Sequence, residues 1–235
     1  MKGYYKNAVA TKQAIDQYGW FDTGDLGRIN PATGDLILTG RVKDTIVLTN
    51  GENIEPTPIE DAIMSGSAHA ESGDLIDQVM VTGGPEGKKL MAIVVLNPTE
   101  LVTRGYLSST AGTEYAKANE SMNDPQCTPQ ERDKYAAVLQ RATDDLRTTN
   151  PQQLQQALLA TIKGATSGKG GGGGGTEEET NTPTTQKQKQ FRPWEVVNTV
   201  HFTLEPFAMS NGQLTQSYKV KRDAVYERYC DELPS

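Results

Sequence analysis

The sequence predicts an α+β fold with a short, mostly antiparallel sheet and flanking helices, preceded by a β-rich segment. Three observations carry this reading. Residues 77–82 and 90–96 are apolar, β-rich runs joined by a Gly/Pro linker. From Pro129 to Thr149 the apolar residues recur at helical spacing. Asn50-Gly51 stands between two short β-prone segments, as a hairpin turn does.

Taken in order, residues 1–40 read as short turns and strands. The opening Met1–Asn7 has no apolar h-region and is not rich in Arg and Ser, so it reads neither as a secretory signal nor as a transit peptide. Tyr18-Gly19-Trp20-Phe21-Asp22-Thr23-Gly24-Asp25 is a dense aromatic and turn cluster. Asn30–Asp35 is turn-like and leads into the alternating strand Leu36–Thr39. Thr45–Thr49 and Glu52–Glu55 then form the arms of a hairpin, with Asn50-Gly51 as the positive-φ pair of a type I′ turn. A helix is expected from Pro58, with Thr57 as N-cap and Glu60 completing a capping box. Ile59, Ala62 and Ile63 give it a buried stripe.

The run Leu90–Leu96 is apolar on both faces, which predicts a central strand covered on both sides. Tyr135, Val138, Leu139, Ala142 and Leu146 line one helical face, and Leu154, Ala157, Leu158 and Ile162 continue helical after Pro151. Residues 164–190 then fall in complexity, with six consecutive glycines from Gly170 to Gly175 and a Thr/Gln/Lys tract. The expectation there is disorder. These glycines lack the GxxxxGK[ST] pattern and no strand precedes them, so they do not read as a phosphate loop. Order resumes at Phe191, with a strand over 196–202 and a closing helix reaching about Leu233.

Composition excludes several function classes. Asp and Glu number 30 against 23 Lys and Arg, a formal charge of -7, which argues against a general nucleic-acid surface. Leu90–Leu96 is far shorter than the roughly 20 apolar residues a membrane helix needs. Cys127 and Cys230 lie far apart and make no metal-ligand spacing. With two histidines, His69 and His201, no metal site is read, and none of these four residues is assigned a role.

Three local clusters could carry chemistry. Asp25, just after a Gly turn, presents two acceptor oxygens suited to a vicinal diol, or else caps its own turn. Arg41, in Gly40-Arg41-Val42-Lys43-Asp44, can donate to phosphate or ribose oxygens, or belong to a solvated charge cluster. Lys219, in a polar loop before a basic helix start, could stabilise charge developing in a transition state. Taken alone, Lys219, Lys221 and Arg222 read as a solvated face.

Order and spacing bring these clusters together. GWFDTGDLG, then GRVKDTIVLTNGENIEPTPIE, then NGQLTQSYKVKR closely resembles the adenylate-forming superfamily of ATP-dependent acyl-activating enzymes. The middle and terminal motifs are most similar to the long-chain fatty-acid branch, and Pro193–Tyr229 resembles the plastid and cyanobacterial acyl–acyl-carrier-protein synthetases. The resemblance covers most of 1–100 and 191–230 and is weak over 101–163. Thr215-Gln216-Ser217 stands where Thr-Pro-Thr is common, with the lysine spacing kept.

The resemblance implies two half-reactions at one site. ATP and a fatty acid give acyl-adenylate and pyrophosphate, and a thiol of coenzyme A or of acyl-carrier-protein pantetheine then displaces AMP. Mg²⁺ is implied through ATP. By motif match, Asp25 would hold the ribose hydroxyls and Arg41 would contact ribose or phosphate. Lys43 and Asp44 would form a hinge, and the hairpin at Asn50 and Gly51 would face the thiol acceptor. Lys219 would bridge carboxylate and α-phosphate. Residues 1–40 would be the tail of a large AMP-binding domain. Residues 41–163 and 191–235 would form a C-terminal lid domain interrupted by the insertion at 164–190. The family's phosphate loop and acyl pocket would lie in an N-terminal domain preceding Met1, so the chain alone is expected to be inactive. Plastid location follows from the resemblance only. A second class of function fits the same residues: a stand-alone, non-catalytic module binding a nucleotide, a carrier protein or a separate N-terminal half.

Overall fold

The computed structural model describes residues 1–69, 75–84, 86–124, 126–149, 151–166 and 191–233. The chain divides into two compact units, Met1–Thr45 and Ile46–Ser235.

The first unit opens with helix α1 (Ala8–Ala14), where turns and strands were expected. Asn7 caps it, its Oδ1 accepting from the Ala10 amide at 2.9 Å. None of its residues is buried, so no apolar stripe marked it in the sequence. The aromatic cluster is a loop closed by a bridge between Ile15 and Phe21. Asp16 Oδ1 accepts from the amides of Tyr18 and Trp20 inside it. Strands β1 (Asp25–Ile29) and β2 (Leu36–Arg41) follow as an antiparallel hairpin. A 3-10 turn at Val42–Asp44 ends the unit's regular structure.

The second unit begins with β3 (Ile46–Val47) and β4 (Asn53–Ile54), antiparallel as expected. The turn between them differs from type I′. The Leu48 amide donates to Glu52 O at 3.0 Å and the Gly51 amide to Leu48 O at 2.9 Å. That pattern leaves a three-residue loop in which one residue, Gly51, has positive φ (84°), while Asn50 does not. Asn50 instead caps the loop, its Oδ1 accepting from the Glu52 amide at 3.1 Å.

Helix α2 (Pro56–His69) starts before the expected Thr57 cap. Thr57 and Pro58 lie in its first turn, and Glu60 is not part of a capping box because its carboxylate is engaged elsewhere, as shown below. Ile59 and Ile63 are fully buried, as their spacing predicted.

Strands β5 (Ile76–Gly83) and β6 (Leu90–Leu96) pair antiparallel. Strand β7 (Val197–Thr203) pairs parallel with β6, giving the order β5-β6-β7. A parallel neighbour requires a long crossover. Helices α3 (Pro98–Thr103), α4 (Ser109–Asn123), α5 (Pro129–Thr149) and α6 (Pro151–Thr166) lie in that connection. The sheet is therefore mixed. Among the described residues the other strand pairs are antiparallel.

Every residue of β6 is buried. Its Leu90, Ala92, Val94 and Leu96 belong to a core with Ile59 and Ile63 of α2, Leu139 and Leu146 of α5, and Leu158 and Ile162 of α6. Its Met91, Ile93 and Val95 face a second core. That core also holds Met80 of β5, Phe207, Leu214, Leu233, and Val225 and Tyr229 of helix α7 (Arg222–Tyr229). Period-two alternation thus splits one apolar strand between two layers.

Helix α6 runs through Gly164, Ala165 and Thr166, which were expected to belong to the disordered stretch. Packing explains the extension. A Cβ on Gly66 of α2 would lie 2.6 Å from Ala165 Cβ, so the two helices meet there. Thr166 is buried with its hydroxyl donating to Ile162 O at 2.9 Å. The remainder of that expectation, residues 167–190, lies outside the described residues. The chain closes with α7 and a 3-10 turn at Cys230–Glu232.

Candidate functional site

The first unit brings Asp25 and Arg41 together. They are cross-strand partners at the open end of the β1–β2 hairpin. Arg41 Nε lies 2.9 Å from Asp25 Oδ1, and Arg41 Nη2 donates to Thr23 O at 3.2 Å. The preceding loop is self-capped: Asp22 Oδ1 accepts from the Gly24 amide at 2.8 Å and Thr23 Oγ1 from the Asp25 amide at 3.1 Å. Gly24 sits at φ 68°, which turns the chain sharply enough to aim Asp25 at Arg41. Both side chains keep solvent access, 36% for Asp25 and 54% for Arg41. Among the described residues, one Asp25 carboxylate oxygen and part of the Arg41 guanidinium fork make no further hydrogen bond. An acceptor and a planar donor side by side suit a diol next to an anionic oxygen. The 3-10 turn that follows carries Lys43 and Asp44, one residue before the boundary of the two units at Thr45 and Ile46.

In the second unit Lys219 is exposed at the end of a tight turn. A bridge between Leu214 and Val220 closes the turn from outside. Inside it, the Thr215 amide donates to Lys219 O at 2.8 Å and the Tyr218 amide to Thr215 O at 3.0 Å. The Lys219 amide donates to Thr215 Oγ1 at 3.0 Å. The lysine backbone is thereby held from both ends while its side chain faces solvent. Asn50 and Gly51 are likewise exposed at the tip of the β3–β4 hairpin.

The two segments flanking the Lys219 turn are anchored by polar side chains. Upstream, Asn211 Oδ1 accepts from the amides of Ala208 and Gln213, and its Nδ2 donates to Pro206 O at 2.9 Å. Gln78 of β5 exchanges two hydrogen bonds with the Phe207 backbone. Arg132 of α5 donates to Ser210 O at 2.6 Å, and the Ser210 hydroxyl donates to Met122 O. Downstream, Arg222 is not the solvated residue its neighbours suggested. It forms a two-pronged pair with Glu60, Nη1 to Oε1 and Nη2 to Oε2, each 2.7 Å. Glu60 Oε1 also accepts from the Val81 amide at 2.7 Å, and Arg222 Nη1 donates to Val81 O at 3.2 Å. The pair ties the start of α7 to α2 and β5. Lys221, next to it, is exposed as expected.

Sequence reasoning missed Glu60, Arg222, Asn211 and Gln78. A signal for Arg222 existed: Arg222, Val225 and Tyr229 share one face of α7 at spacings of three and seven, and the last two are buried.

His201 is a buried strand residue, as its unassigned status allowed. Burial and the neighbouring Arg147 guanidinium push its pKa down to about 4. Arg147 Nη2 lies 3.0 Å from His201 Nε2 and donates to Phe202 O at 2.9 Å, while Arg147 Nη1 pairs with Glu232 at 2.9 Å. The side chain of His69 lies outside the described residues. Cys127 and Cys230 are free thiols. Among the described residues no three His, Cys, Asp or Glu side chains cluster as a metal site. No helix among them is long and apolar enough to cross a membrane.

Comparison with known proteins gives a consistent family picture. Residues 43–124 match the family of AMP-binding enzyme C-terminal domains. The probable acyl-activating enzyme 16, chloroplastic, of Arabidopsis thaliana is 31% identical over 99% of this chain and 25% of its own length. A chloroplastic long-chain-fatty-acid–[acyl-carrier-protein] ligase of the same plant is 43% identical over 43% of this chain and 14% of that protein. Among solved structures, the adenylation domain of a carboxylic acid reductase from Segniliparus rugosus, in complex with AMP and a co-purified carboxylic acid, aligns with a TM-score of 0.59 at 20% identity. It covers 99% of this chain and 25% of that one. The corresponding domain from Mycobacterium chelonae aligns with a TM-score of 0.58 at 19% identity, over 98% and 25%. At that identity the likeness is one of fold. The chain spans a quarter of the length of the relatives it matches from end to end.

Proposed function

As a member of the adenylate-forming enzymes that corresponds to their C-terminal part, the chain supplies, we propose, the mobile lid of a fatty-acid-activating ligase. The full reaction would join ATP and a fatty acid into acyl-adenylate with release of pyrophosphate. Attack by the thiol of coenzyme A or of an acyl-carrier-protein pantetheine then gives the thioester and AMP. The observation that carries the reading is the Lys219 turn: an exposed cation on a backbone pinned at both ends, within a chain that aligns over 99% of its length with an acyl-activating relative.

The first half-reaction brings a carboxylate oxygen onto an α-phosphate, so two anions must approach. A positioned ammonium at the meeting point lowers that barrier most as negative charge concentrates in the transition state. Lys219 is assigned that role. Asp25 would accept from the ribose hydroxyls, and Arg41, fixed against Asp25, would donate to ribose or phosphate oxygens. Lys43 and Asp44 would form the hinge, a role supported by the boundary between the units at Thr45 and Ile46. The Asn50-Gly51 tip would face the thiol acceptor in the second half-reaction. Mg²⁺ would travel with the ATP phosphates rather than on a ligand set of these residues. Residues 1–40 are read as the tail of the large AMP-binding domain, and 41–163 with 191–235 as the lid. The chloroplastic relatives support a plastid location.

The test is fatty-acid-dependent ATP–pyrophosphate exchange. This chain alone should give none. A hybrid, in which it replaces the matching quarter of the chloroplastic acyl-activating relative, should give exchange above that of the relative lacking that quarter. Turnover by the chain alone, or a hybrid no better than the truncated relative, would refute the reading.

A further inference from the structure

Two turns of this protein share one hydrogen-bond pattern. From Leu48 to Glu52 the first amide donates to the fifth carbonyl at 3.0 Å and the fourth amide to the first carbonyl at 2.9 Å. From Thr215 to Lys219 the same bonds measure 2.8 and 3.0 Å. In each, the fourth residue lies in the left-handed region. In the first turn it is Gly51 at φ 84°, and in the second it is Tyr218 at φ 58°. Glycine takes this conformation without strain. A bulky residue there is a marked outlier that persists where something else requires it.

The hydrogen bonds that close the turn call for the left-handed conformation at its fourth position, but nothing around Tyr218 within the chain calls for a bulky side chain there. The residue is 70% exposed. Among the described residues its ring and hydroxyl make no hydrogen bond or ring contact, and the residue is held through its backbone amide, which donates to Thr215 O. Its neighbours Gln216, Ser217 and Lys219 in the turn are polar and exposed. It stands as a lone aromatic, one residue before the lysine. A rigid, amphipathic ring with two rotatable bonds is well suited to insertion into a pocket on an opposing surface.

We propose that Tyr218 is the positioning residue for Lys219, its ring seating against the wall of the adenylation site, on the rest of the enzyme, when the lysine engages carboxylate and phosphate. The inference rests on the adenylation role of Lys219 proposed above. Burying the ring would fix the tilt of the turn, and the left-handed backbone at Tyr218 sets the direction in which Lys219 leaves it. Glycine at this position would make a more relaxed turn and lose the anchor. The residue therefore trades local stability for placement of the cation.

The experiment has two arms. In this chain, Tyr218→Gly should raise the melting temperature by about 2–4 °C through relief of backbone strain. A fall would overturn the strain argument. In the hybrid enzyme, Tyr218→Gly should lower kcat for fatty-acid-dependent ATP–pyrophosphate exchange by about 10- to 100-fold, the scale of a small misplacement of a reacting group. KM for ATP should stay within about twofold, because ground-state nucleotide contacts are untouched. Tyr218→Phe should recover most of the rate, since the ring and not the hydroxyl is the anchor. A kcat for Tyr218→Gly equal to that of the parent hybrid would overturn the proposal. Lys219→Ala run alongside separates the two levels. If it abolishes exchange while Tyr218→Gly is silent, only the positioning role fails. If Lys219→Ala is itself silent, the adenylation reading fails first.

Discussion

Replacing Arg222 with Met removes one half of a pair that is largely shielded from water. The side chains of Arg222 and Glu60 are 20% and 14% exposed. Three contacts of 2.7 Å and one of 3.2 Å link Arg222, Glu60 and the Val81 backbone. With Arg222 gone, the Glu60 carboxylate keeps the Val81 amide and loses its counter-charge. Stranding a charge in such a setting costs about 3 kcal/mol, at the low end of the range for buried pairs because some solvent reaches this one. For a unit of this size that corresponds to a fall in melting temperature of roughly 6–12 °C. Adding Glu60→Gln should return about 1 kcal/mol or more. The amide keeps an oxygen for Val81 N–H and no longer carries the stranded charge. Urea denaturation of the wild-type chain, both single variants and the double variant closes the cycle. A loss below about 1 kcal/mol for Arg222→Met, the range of a surface pair, would refute the reasoning. So would a double variant less stable than Arg222→Met.

Two further outcomes follow from the geometry. His201 titrates near 6.5 in the unfolded chain, and burial with Arg147 beside it holds the folded value near 4. The unfolded chain therefore binds the proton first as pH falls. The stability contributed by the neutral ring is complete above about pH 6.5 and is lost on going down towards pH 4, on the order of 3 kcal/mol in all. His201→Gln should flatten the denaturation profile across that window, and a profile as steep as the parent's would contradict the assignment. Asp25→Ala breaks an ion pair that is 36% and 54% exposed, so the melting temperature should move little. In the hybrid enzyme the same change should raise KM for ATP by about tenfold, the scale of a lost charged hydrogen bond. An unchanged KM would remove Asp25 from the nucleotide site.

The strands were the most legible part of this fold. Leu90–Leu96 has no polar residue on either face, so its central position and double cover were readable from the run itself. Helix α5 was equally plain, because Leu139, Ala142 and Leu146 repeat at helical spacing and are buried where that spacing puts them. Helix α1 was not legible: it is short and buries nothing, so no periodic signal existed. The start of α2 was misread because Thr57, Pro58 and Glu60 imitate a cap, while the carboxylate that would have closed the box is held by Arg222, far away in sequence. The turn at Asn50-Gly51 was read one residue too short, since the dipeptide signals a turn without stating its hydrogen-bond closure. For the site, the motifs pointed to Asp25, Arg41 and Lys219 as separate features. The register of β1 and β2 joins the first two across a hairpin, a fact the spacing alone does not contain. Among the supports of the Lys219 turn, Gln78 and the Glu60–Arg222 pair were hidden for the same reason, because their partners are long-range; Asn211 bonds locally, to Pro206, Ala208 and Gln213, and its polar loop carried no periodic signal.

Lys219 is the residue on which the functional account stands. In the hybrid enzyme the two half-reactions are assayed separately: pyrophosphate exchange for adenylation, and thioester formation from pre-formed acyl-adenylate for transfer. Lys219→Ala should slow adenylation by about 10²-fold or more, the loss of one positioned charge at the transition state, and leave transfer far less affected. Lys221→Ala, altering an exposed neighbour, should leave both steps near the parent rates. Equal slowing of the two half-reactions by Lys219→Ala, or greater damage from Lys221→Ala, would contradict the account.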